Sequence, residues 1–254
     1  MLLAVIALAG CAAPLSTSDA APQRFIEAPA VSEAARQRYG DGAQQAYEEL
    51  TRFSMDQWLL AKLVDPGAPA PTAQALSDGI TEHLAPATVP SWQQSVTAAL
   101  AGNADQANLV RILRFYDLQA PTLRMPDGGS SPITGESITQ GTVGLGAARS
   151  DGIVPLVVAF RQGARLNLLS GRSPFAVDLK KDLVLTVVPA DELAKVAAAT
   201  PSVAQPTTSG ATTGASIARD SRVTWLISTF EGDIASSDRS SISSGSETPS
   251  APSS

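Results

Sequence analysis

The spacing of apolar residues changes once along the chain, and this change constrains the fold more than any other feature of the sequence. In the first half, apolar residues recur near every 3.6 residues, as on the buried face of a helix. After Pro132 they alternate with a period of two, as in Val154, Leu156, Val158 and Phe160. Helices followed by an antiparallel meander predict an α+β domain in which the helices cover one face of a strongly bent sheet.

Three helices are predicted in the first half. The first spans residues 41–63, because Asp41-Gly42-Ala43-Gln44 resembles a capping box and 65–67 (Asp-Pro-Gly) should end the helix. The second is expected over 72–84. The third runs from Pro90 to Gly102, with a first-turn proline and a terminal glycine. Residues 109–116 fit either a helix face or a strand.

Four strands are predicted in the second half, over residues 137–147, 154–160, 175–188 and 222–231. Ser150-Asp151-Gly152 is the expected turn between the first two. In 141–146, three glycines in a GxxGxG pattern resemble a phosphate-binding loop. Because no helix or lysine follows, a strand with a bulge is the better interpretation.

Composition limits the function classes. The chain has 254 residues, of which 44% are hydrophobic and 17% charged, and its formal net charge is -6. This suits one modest domain with added low-complexity sequence, and it disfavours a nucleic-acid partner. One cysteine and one histidine exclude an internal disulfide framework and the usual histidine-based metal sites and triads within one chain, so no metal or cofactor is predicted.

The regions outside the patterned sequence are rich in small polar residues and proline. Residues 11–30 are expected to form a tether, 200–216 a flexible insertion, and 234–254 a serine-rich disordered tail. The domain itself is therefore predicted to span 31–233.

The amino terminus carries a second informative pattern. Residues 2–9 form an apolar run of eight, well short of the roughly 20 residues that cross a bilayer but suited to a signal peptide. Directly after it, Leu8-Ala9-Gly10-Cys11 resembles the lipobox of bacterial lipoproteins. The alternative is that Cys11 is a small buried hydrophobe. Because no basic residue precedes the apolar run, we expect the signal peptide of residues 1–10 to be truncated.

The lipobox resemblance implies a modification and a location. Cleavage would fall between Gly10 and Cys11, and the Cys11 thiol would carry a lipid. Two or three acyl chains hold a protein stably at a membrane, whereas one chain does not. The protein would then be anchored to the extracytoplasmic face of the cell membrane.

The order of elements resembles the NTF2-like (SnoaL/ketosteroid-isomerase-like) cone fold, which occurs in many actinobacterial envelope lipoproteins. The matching features are a long first helix with aromatic residues, two short helices and the final strand over 223–227. The resemblance spans about residues 34–233. It implies a ligand binder, a docking module or an enzyme, because this fold hosts all three.

Few side chains suit acid–base catalysis. His83 near a predicted helix end could be a base oriented by Asp78 or Glu82, or a cation at the helix C-terminus. The acids on predicted strands are Asp178, Asp182, Glu231 and Asp233. The alternation around 178–182 favours a solvent-facing strand edge, so no catalytic residue is assigned.

Two further groups of residues are candidates for binding. Positive charge is concentrated at Arg161, Arg165, Arg172, Lys180 and Lys181. These side chains would attract anionic lipid or an acidic partner, or would form a charged rim that discourages edge pairing. Trp58, Trp92 and Trp225 are candidates to line an apolar pocket, with a packed core as the alternative.

These observations together favour a non-catalytic binding or docking module, anchored by lipid to the cell envelope, for an apolar ligand or an envelope protein. An isomerase- or hydrolase-type enzyme and a structural spacer remain as alternatives.

Overall fold

The computed structural model describes residues 24–116, 122–126, 132–199 and 224–240, which form a mixed α+β fold around one open sheet. The helices are α1 Glu33–Tyr39, α2 Gly42–Gln57, α3 Ala61–Val64, α4 Ala73–Ser77, α5 Val89–Leu100, α6 Ala104–Leu113 and α7 Ala190–Ala199, with a 3₁₀ turn at Thr81–His83. The strands are β1 Phe25–Ile26, β2 Ala30–Val31, β3 Leu123–Arg124, β4 Ile133–Leu145, β5 Leu156–Ser170, β6 Ser173–Pro189 and β7 Trp225–Ser240. The predicted α+β class is confirmed.

The first two predicted helices are broken into shorter ones. Helix α2 ends at Gln57 rather than near residue 63, and the Asp41 side chain forms no capping hydrogen bond. The helix expected over 72–84 is interrupted at Gly79, whose φ of +71° lies in the left-handed region. Here α4 is capped by the Thr72 side chain, which accepts from the Ala75 amide at 3.1 Å.

The remaining helices follow local signals more closely. Helix α5 contains Pro90 in its first turn and is followed by Gly102, whose φ is +92°. The ambiguous segment 109–116 is the end of α6 and the residues beyond it. Helix α6 starts at the Asn103 cap, which accepts from the Gln106 amide at 3.0 Å.

The long strands form an antiparallel meander in the order β4-β5-β6-β7. β5 continues to Ser170, ten residues past the predicted end at Phe160, and turns into β6 through Gly171 at φ +63°. Register shifts interrupt β4 at two places, and a third lies between Thr186 and Val187 in the β6–β7 pair. Such bulges bend a sheet and increase its twist.

The folded region extends beyond both predicted limits. β1 and Ala30 of β2 lie in the predicted tether, yet both strands pair in parallel with β4, with Phe25 opposite Ser137 and Val31 opposite Val143. β7 runs past residue 233 to Ser240. The predicted lipobox with Gly10 and Cys11, the insertion over 200–216 and the tail beyond 240 lie outside the described residues.

The two faces of the sheet have different surroundings. On the inner face, alternate residues of β5 and β6 such as Leu156, Val158 and Leu185 pack against helices α1, α2, α5 and α6 in the main apolar core. A second apolar cluster, centred on Trp58 and Leu166, fills the far end of the same face. The outer face is half-buried to exposed, except where α7 covers the ends of β6 and β7.

Candidate functional site

A cavity of about 550 Å³ lies beside α7, where β4 ends and β5 begins. Its lining is mostly apolar, with several hydroxyl groups and one arginine. The lining residues are Ala85, Ala87, Thr88, Ser91, Gly146, Ala147, Arg149, Pro155, Val157, Thr186, Leu193, Ser228 and Thr229. This volume lies within the range found for small-molecule pockets.

The cavity forms where four segments far apart in sequence meet. The Ala85 amide donates to the Ile227 carbonyl at 2.8 Å, which joins the segment before α5 to β7. The Gly146 amide donates to the Pro155 carbonyl at 2.8 Å, which joins the end of β4 to the start of β5. Leu193 of α7 belongs to a small apolar cluster beneath that helix. These contacts leave a concave space between fixed walls.

Hydroxyl groups in the lining donate their protons to backbone carbonyls. Thr88 donates to the Ser228 carbonyl at 2.8 Å, and Ser228 donates to the Thr186 carbonyl at 2.9 Å. Ser91 donates to the Thr88 carbonyl at 2.8 Å. A hydroxyl whose proton is donated in this way still has acceptor lone pairs. The lining is therefore suited to accept hydrogen bonds from a bound molecule.

The charge at the cavity rim is balanced. Arg149 forms a two-pronged ion pair with Asp151, with a shortest nitrogen–oxygen distance of 2.8 Å. The hydrogen bond from Arg149 holds the pKa of Asp151 below its ordinary value. Among the described residues, the cavity lining contains no aspartate, glutamate or histidine. The described lining residues thus carry no carboxylate or imidazole that could act as a general base.

The three tryptophans predicted to line a pocket lie elsewhere. Trp92 and Trp225 are buried in the main core, with edge contacts to Phe230 and Tyr39. Trp58 lies in the second cluster, where its indole nitrogen donates to the Arg111 carbonyl at 3.1 Å. Each tryptophan therefore packs in a core, and none borders the cavity beside α7.

His83 and the strand acids are likewise outside the cavity. The His83 ring stacks on Phe53 with centroids 4.4 Å apart, and its Nδ1 lies 3.2 Å from the Gly79 carbonyl. Asp182 and Asp178 lie on the outer face, where they pair with Arg161 and Arg165. The remaining two acids, Glu231 and Asp233, are exposed on β7.

One residue of the predicted basic group, Lys181, is buried and not exposed as predicted. Lys181 was expected at a solvent-facing edge with Lys180, but β6 is an interior strand and Lys181 is 1% exposed. It points to the inner face, in phase with Leu179 and Leu183. The sequence alternation indicates this burial, because Lys181 lies two residues from both Leu179 and Leu183 and therefore on the same face of the strand.

Lys181 lies in a buried polar cluster, defined here as Ser54, Gln162 and Lys181. The Lys181 ammonium donates to the Ser54 hydroxyl at 2.9 Å and to the Ile112 carbonyl at 3.0 Å. Its Nζ also lies 4.4 Å from the centre of the Trp58 ring. Ser54 donates in turn to Gln162 at 2.6 Å. Burial lowers the pKa of Lys181 well below its ordinary value of 10.5.

The contacts of Lys181 give it a structural role. Ile112 is near the carboxyl end of α6, and Ser54 is in the last turn of α2. Terminal carbonyls of helices lack partners within the helix and favour a cation. Since Ser54 is 2% exposed and Gln162 fully buried, this cluster has no opening for a substrate.

A second buried cation lies near the same helix ends. Arg114, directly after α6, is fully buried and donates to the Gln57 side chain at 2.9 Å and to the Asp78 carbonyl. Burial lowers the pKa of Arg114 to about 10. Its Nε and Nη1 have no partner within the described part of the chain. Its sequence neighbours gave no sign of this burial.

Among residues 24–116, 122–126, 132–199 and 224–240, no group of three or more histidine, cysteine or acidic side chains could hold a metal ion. Across the same ranges, every helix is too short or too polar to cross a membrane.

Comparisons with protein-family models, curated proteins and solved structures found no match.

Proposed function

We propose that this protein is a non-catalytic binding module of the cell envelope that holds a small apolar ligand in the cavity beside α7. The observation that carries the proposal is the cavity itself, which has a volume of about 550 Å³ and a mostly apolar lining, with no carboxylate or imidazole among its described residues. An enzyme of the isomerase or hydrolase type needs a polar group that can accept a proton in its pocket. The lining residues that the structure describes supply no carboxylate or imidazole for this purpose.

The finer fold assignment belongs to the same proposal. Helices packed on one face of a bulged antiparallel sheet are part of the arrangement of an NTF2-like cone, and we propose that the domain belongs to that class. The support is the order of elements, with helices α1 to α6 before the β4–β7 meander. Helix α7 and the parallel strands β1 and β2 are additions to that pattern.

The location rests on the sequence pattern at residues 2–11. We propose that Cys11 is lipidated and that the chain is anchored at the extracytoplasmic face of the cell membrane. The support is the apolar run followed by Leu8-Ala9-Gly10-Cys11. The partners are then the membrane and either an apolar small molecule or an envelope protein.

The cavity chemistry narrows the ligand class. Apolar walls at Val157, Pro155 and Leu193 favour hydrocarbon, and hydroxyls that have already donated their protons favour a ligand with its own donor. Because Arg149 is paired with Asp151, a charged headgroup gains little at the rim. We propose a neutral, mostly apolar molecule with a hydroxyl or amide donor.

The binding proposal is tested by filling the cavity. Titrating purified protein with Nile red, a neutral apolar dye, should give a saturable rise in dye emission. Val157→Trp places an indole in the cavity and should abolish that rise, whereas Leu100→Trp, on a helix end outside the cavity, should leave it unchanged. Equal binding by wild type and Val157→Trp would rule out this cavity as the site.

The location is tested separately. The mass of the amino-terminal peptide from a membrane fraction should show Cys11 as a lipid-modified first residue. Cys11→Ala should be released or left uncleaved. A free Cys11 thiol with residues 1–10 still attached would reject the anchor and leave the binding test unaffected.

A further inference from the structure

Two consecutive residues of β7 lie on the same side of that strand. Ile227 is fully buried in the main core, and Phe230 packs against the same core through Trp92, with ring centroids 6.0 Å apart. Strict alternation along a strand would place residues 227 and 230 on opposite faces. The two residues between them, Ser228 and Thr229, both line the cavity beside α7.

A β-bulge at Ser228 causes this break in the alternation. Thr186 of β6 pairs with Thr229, and the next residue of β6, Val187, pairs with Ile227, so Ser228 is an extra residue in the ladder. Bulges redirect side chains in this way and are common beside functional sites. The bulge therefore places two neighbouring hydroxyl groups on the cavity wall, and we call Ser228 and Thr229 the hydroxyl pair.

The bulge is fixed by hydrogen bonds to two other segments. The Ser228 hydroxyl donates to the Thr186 carbonyl at 2.9 Å, and the Ser228 carbonyl accepts from the Thr88 hydroxyl at 2.8 Å. The neighbouring Ile227 carbonyl accepts from the Ala85 amide at 2.8 Å. These bonds hold the bulge to β6 and to the segment before α5. A ligand that binds to the hydroxyl pair therefore loses little free energy in ordering it.

The two hydroxyls offer different hydrogen-bonding groups. The Ser228 proton is donated to the Thr186 carbonyl, so the Ser228 oxygen is left to accept. Thr229 is exposed, and a threonine hydroxyl both donates and accepts. A ligand hydroxyl can donate to the first and accept from the second through one oxygen atom. A carbonyl or ether can only accept, and an amide carries its donor and its acceptor on separate atoms.

The wall changes from polar to apolar across the sheet. Val157 of β5, Thr186 of β6 and Thr229 of β7 form one row, because each is paired with the next. At the usual spacing of neighbouring strands, Val157 lies roughly 10 Å from Thr229. Pro155 and Leu193 add to the apolar part of the lining. A hydrocarbon body of this length therefore fits over Val157 with its polar end at the hydroxyl pair.

We propose that the hydroxyl pair determines the specificity of the cavity and that the ligand is a neutral hydrocarbon alcohol, an inference that rests on ligand binding in the cavity as stated under the proposed function. The ligand hydroxyl donates to the Ser228 oxygen and accepts from the Thr229 hydroxyl. Its hydrocarbon part occupies the space toward Val157. The proposed function allows either a hydroxyl or an amide donor, and the bulge selects the hydroxyl.

The test compares two ligands that differ by one oxygen atom. 2-Naphthylmethanol carries a hydroxyl, and 2-methylnaphthalene has none. Each is titrated into the full chain in the presence of Nile red, and displacement of the dye gives its affinity. Wild type should bind the alcohol about tenfold more tightly than the hydrocarbon, which is the discrimination expected from one or two neutral hydrogen bonds.

Two variants remove the two halves of the hydroxyl pair. Ser228→Ala removes the acceptor, and Thr229→Val removes the donor with little change in volume. Each should reduce the preference for the alcohol to about threefold or less. Thr97→Val makes the same change on α5, outside the cavity lining, and should keep the full preference. The ratio of the two affinities is the readout, because a distorted wall would weaken the binding of both ligands together.

The possible outcomes separate this inference from the proposed function. Equal affinities of wild type for the two naphthalenes, or a preference that survives in both variants, overturns the inference alone. Failure of the alcohol to displace bound Nile red also overturns it. If Nile red itself does not bind saturably, the proposed function fails and the inference falls with it. Circular dichroism checks the fold of Ser228→Ala, and Thr229→Val, at an exposed position, decides the outcome if that variant is unfolded.

Discussion

Asp182 and Lys181 are adjacent in β6, but one charged side chain is exposed on the outer face of the sheet and the other is buried on the inner face. Asp182, on the outer face, is 57% exposed and pairs with Arg161 across the strand at 2.7 Å. Lys181, on the inner face, is 1% exposed, and its hydrogen-bond partners are a hydroxyl and a carbonyl. Four of the five residues over 178–182 are charged, and strand alternation alone decides which of them are buried.

This difference between the two faces shows that the number of ion pairs in a structure is a poor guide to its stability. Exposed pairs on the outer face have little net effect, because water screens them and the side chains lose freedom. A buried ammonium without a carboxylate carries a desolvation cost that its hydrogen bonds must offset. The inner face should therefore dominate the response to mutation.

The largest effect is expected for Lys181→Ala. It leaves a cavity beside Trp58 and removes the donor to the Ile112 carbonyl, and we expect a loss of about 3 kcal/mol in the free energy of unfolding. Urea unfolding followed by circular dichroism measures it. Lys180→Ala, on the exposed neighbour, is the matched control and should unfold like wild type. Similar losses in both variants would show that the two faces do not differ.

A smaller loss is expected for Gly141→Ala. A Cβ at Gly141 would collide with the Tyr47 ring of α2, whereas a Cβ at Gly144 meets nothing within 4 Å. Because overpacking a filled interior forces neighbours to move, Gly141→Ala should lose about 2 kcal/mol by thermal or urea unfolding. Gly144→Ala in the same strand should be close to neutral. Equal unfolding free energies for the two variants would show that Tyr47 of α2 does not pack tightly against Gly141 of β4.

The next prediction concerns pH and uses Lys181→Met, which keeps the volume and removes the charge. Burial depresses the pKa of Lys181 in the folded state, so between that value and the ordinary 10.5 the unfolded chain binds more protons. Wild-type stability should therefore rise with pH through that window, relative to Lys181→Met. Below the folded-state pKa the difference between the two proteins should be constant.

The pH prediction is measured as the difference in unfolding free energy between the two proteins at several pH values up to about 10. Taking the difference cancels the titration of residues common to both. A difference that does not change with pH would mean that Lys181 keeps its ordinary pKa on folding.

The smallest effect is expected on the outer face. The hydrogen bonds from Arg161 hold the pKa of Asp182 below its ordinary value, which stabilises the fold above that value and is lost as the pH falls through the depressed pKa. Because the pair is exposed, Asp182→Asn should change the melting temperature only slightly at neutral pH, and added salt should erase the change. A large drop in melting temperature that added salt does not change would show that this ion pair contributes substantially to stability.

Features with local causes were predictable from sequence. Pro90 and Gly102 mark the limits of α5 closely, and the alternation at 154–160 correctly placed β5 in a sheet. The α+β class follows from these signals alone. The break at Gly79 was missed because a single glycine is tolerated within many helical patterns.

Features that depend on distant contacts were not predictable. The pairing of β1 with β4 joins residues far apart in sequence, and two-residue strands carry no periodic signal. The cavity beside α7 needs Thr88, Val157, Leu193 and Ser228 brought together by four separate segments. The burial of Lys181 follows from its apolar phase in the strand alternation, whereas its charge alone favours an exposed position.

The two edges of the sheet differ in a way that bears on solubility. At one edge, β1 and β2 cover part of β4. At the other, β7 contacts the Leu84 backbone at Ile227, and beyond that bridge the described residues place no strand against it. An uncovered strand edge is a template for aggregation, and charges along it oppose pairing. Glu231 and Asp233 are exposed on this stretch, and such charges oppose the addition of a second copy of the chain at this edge.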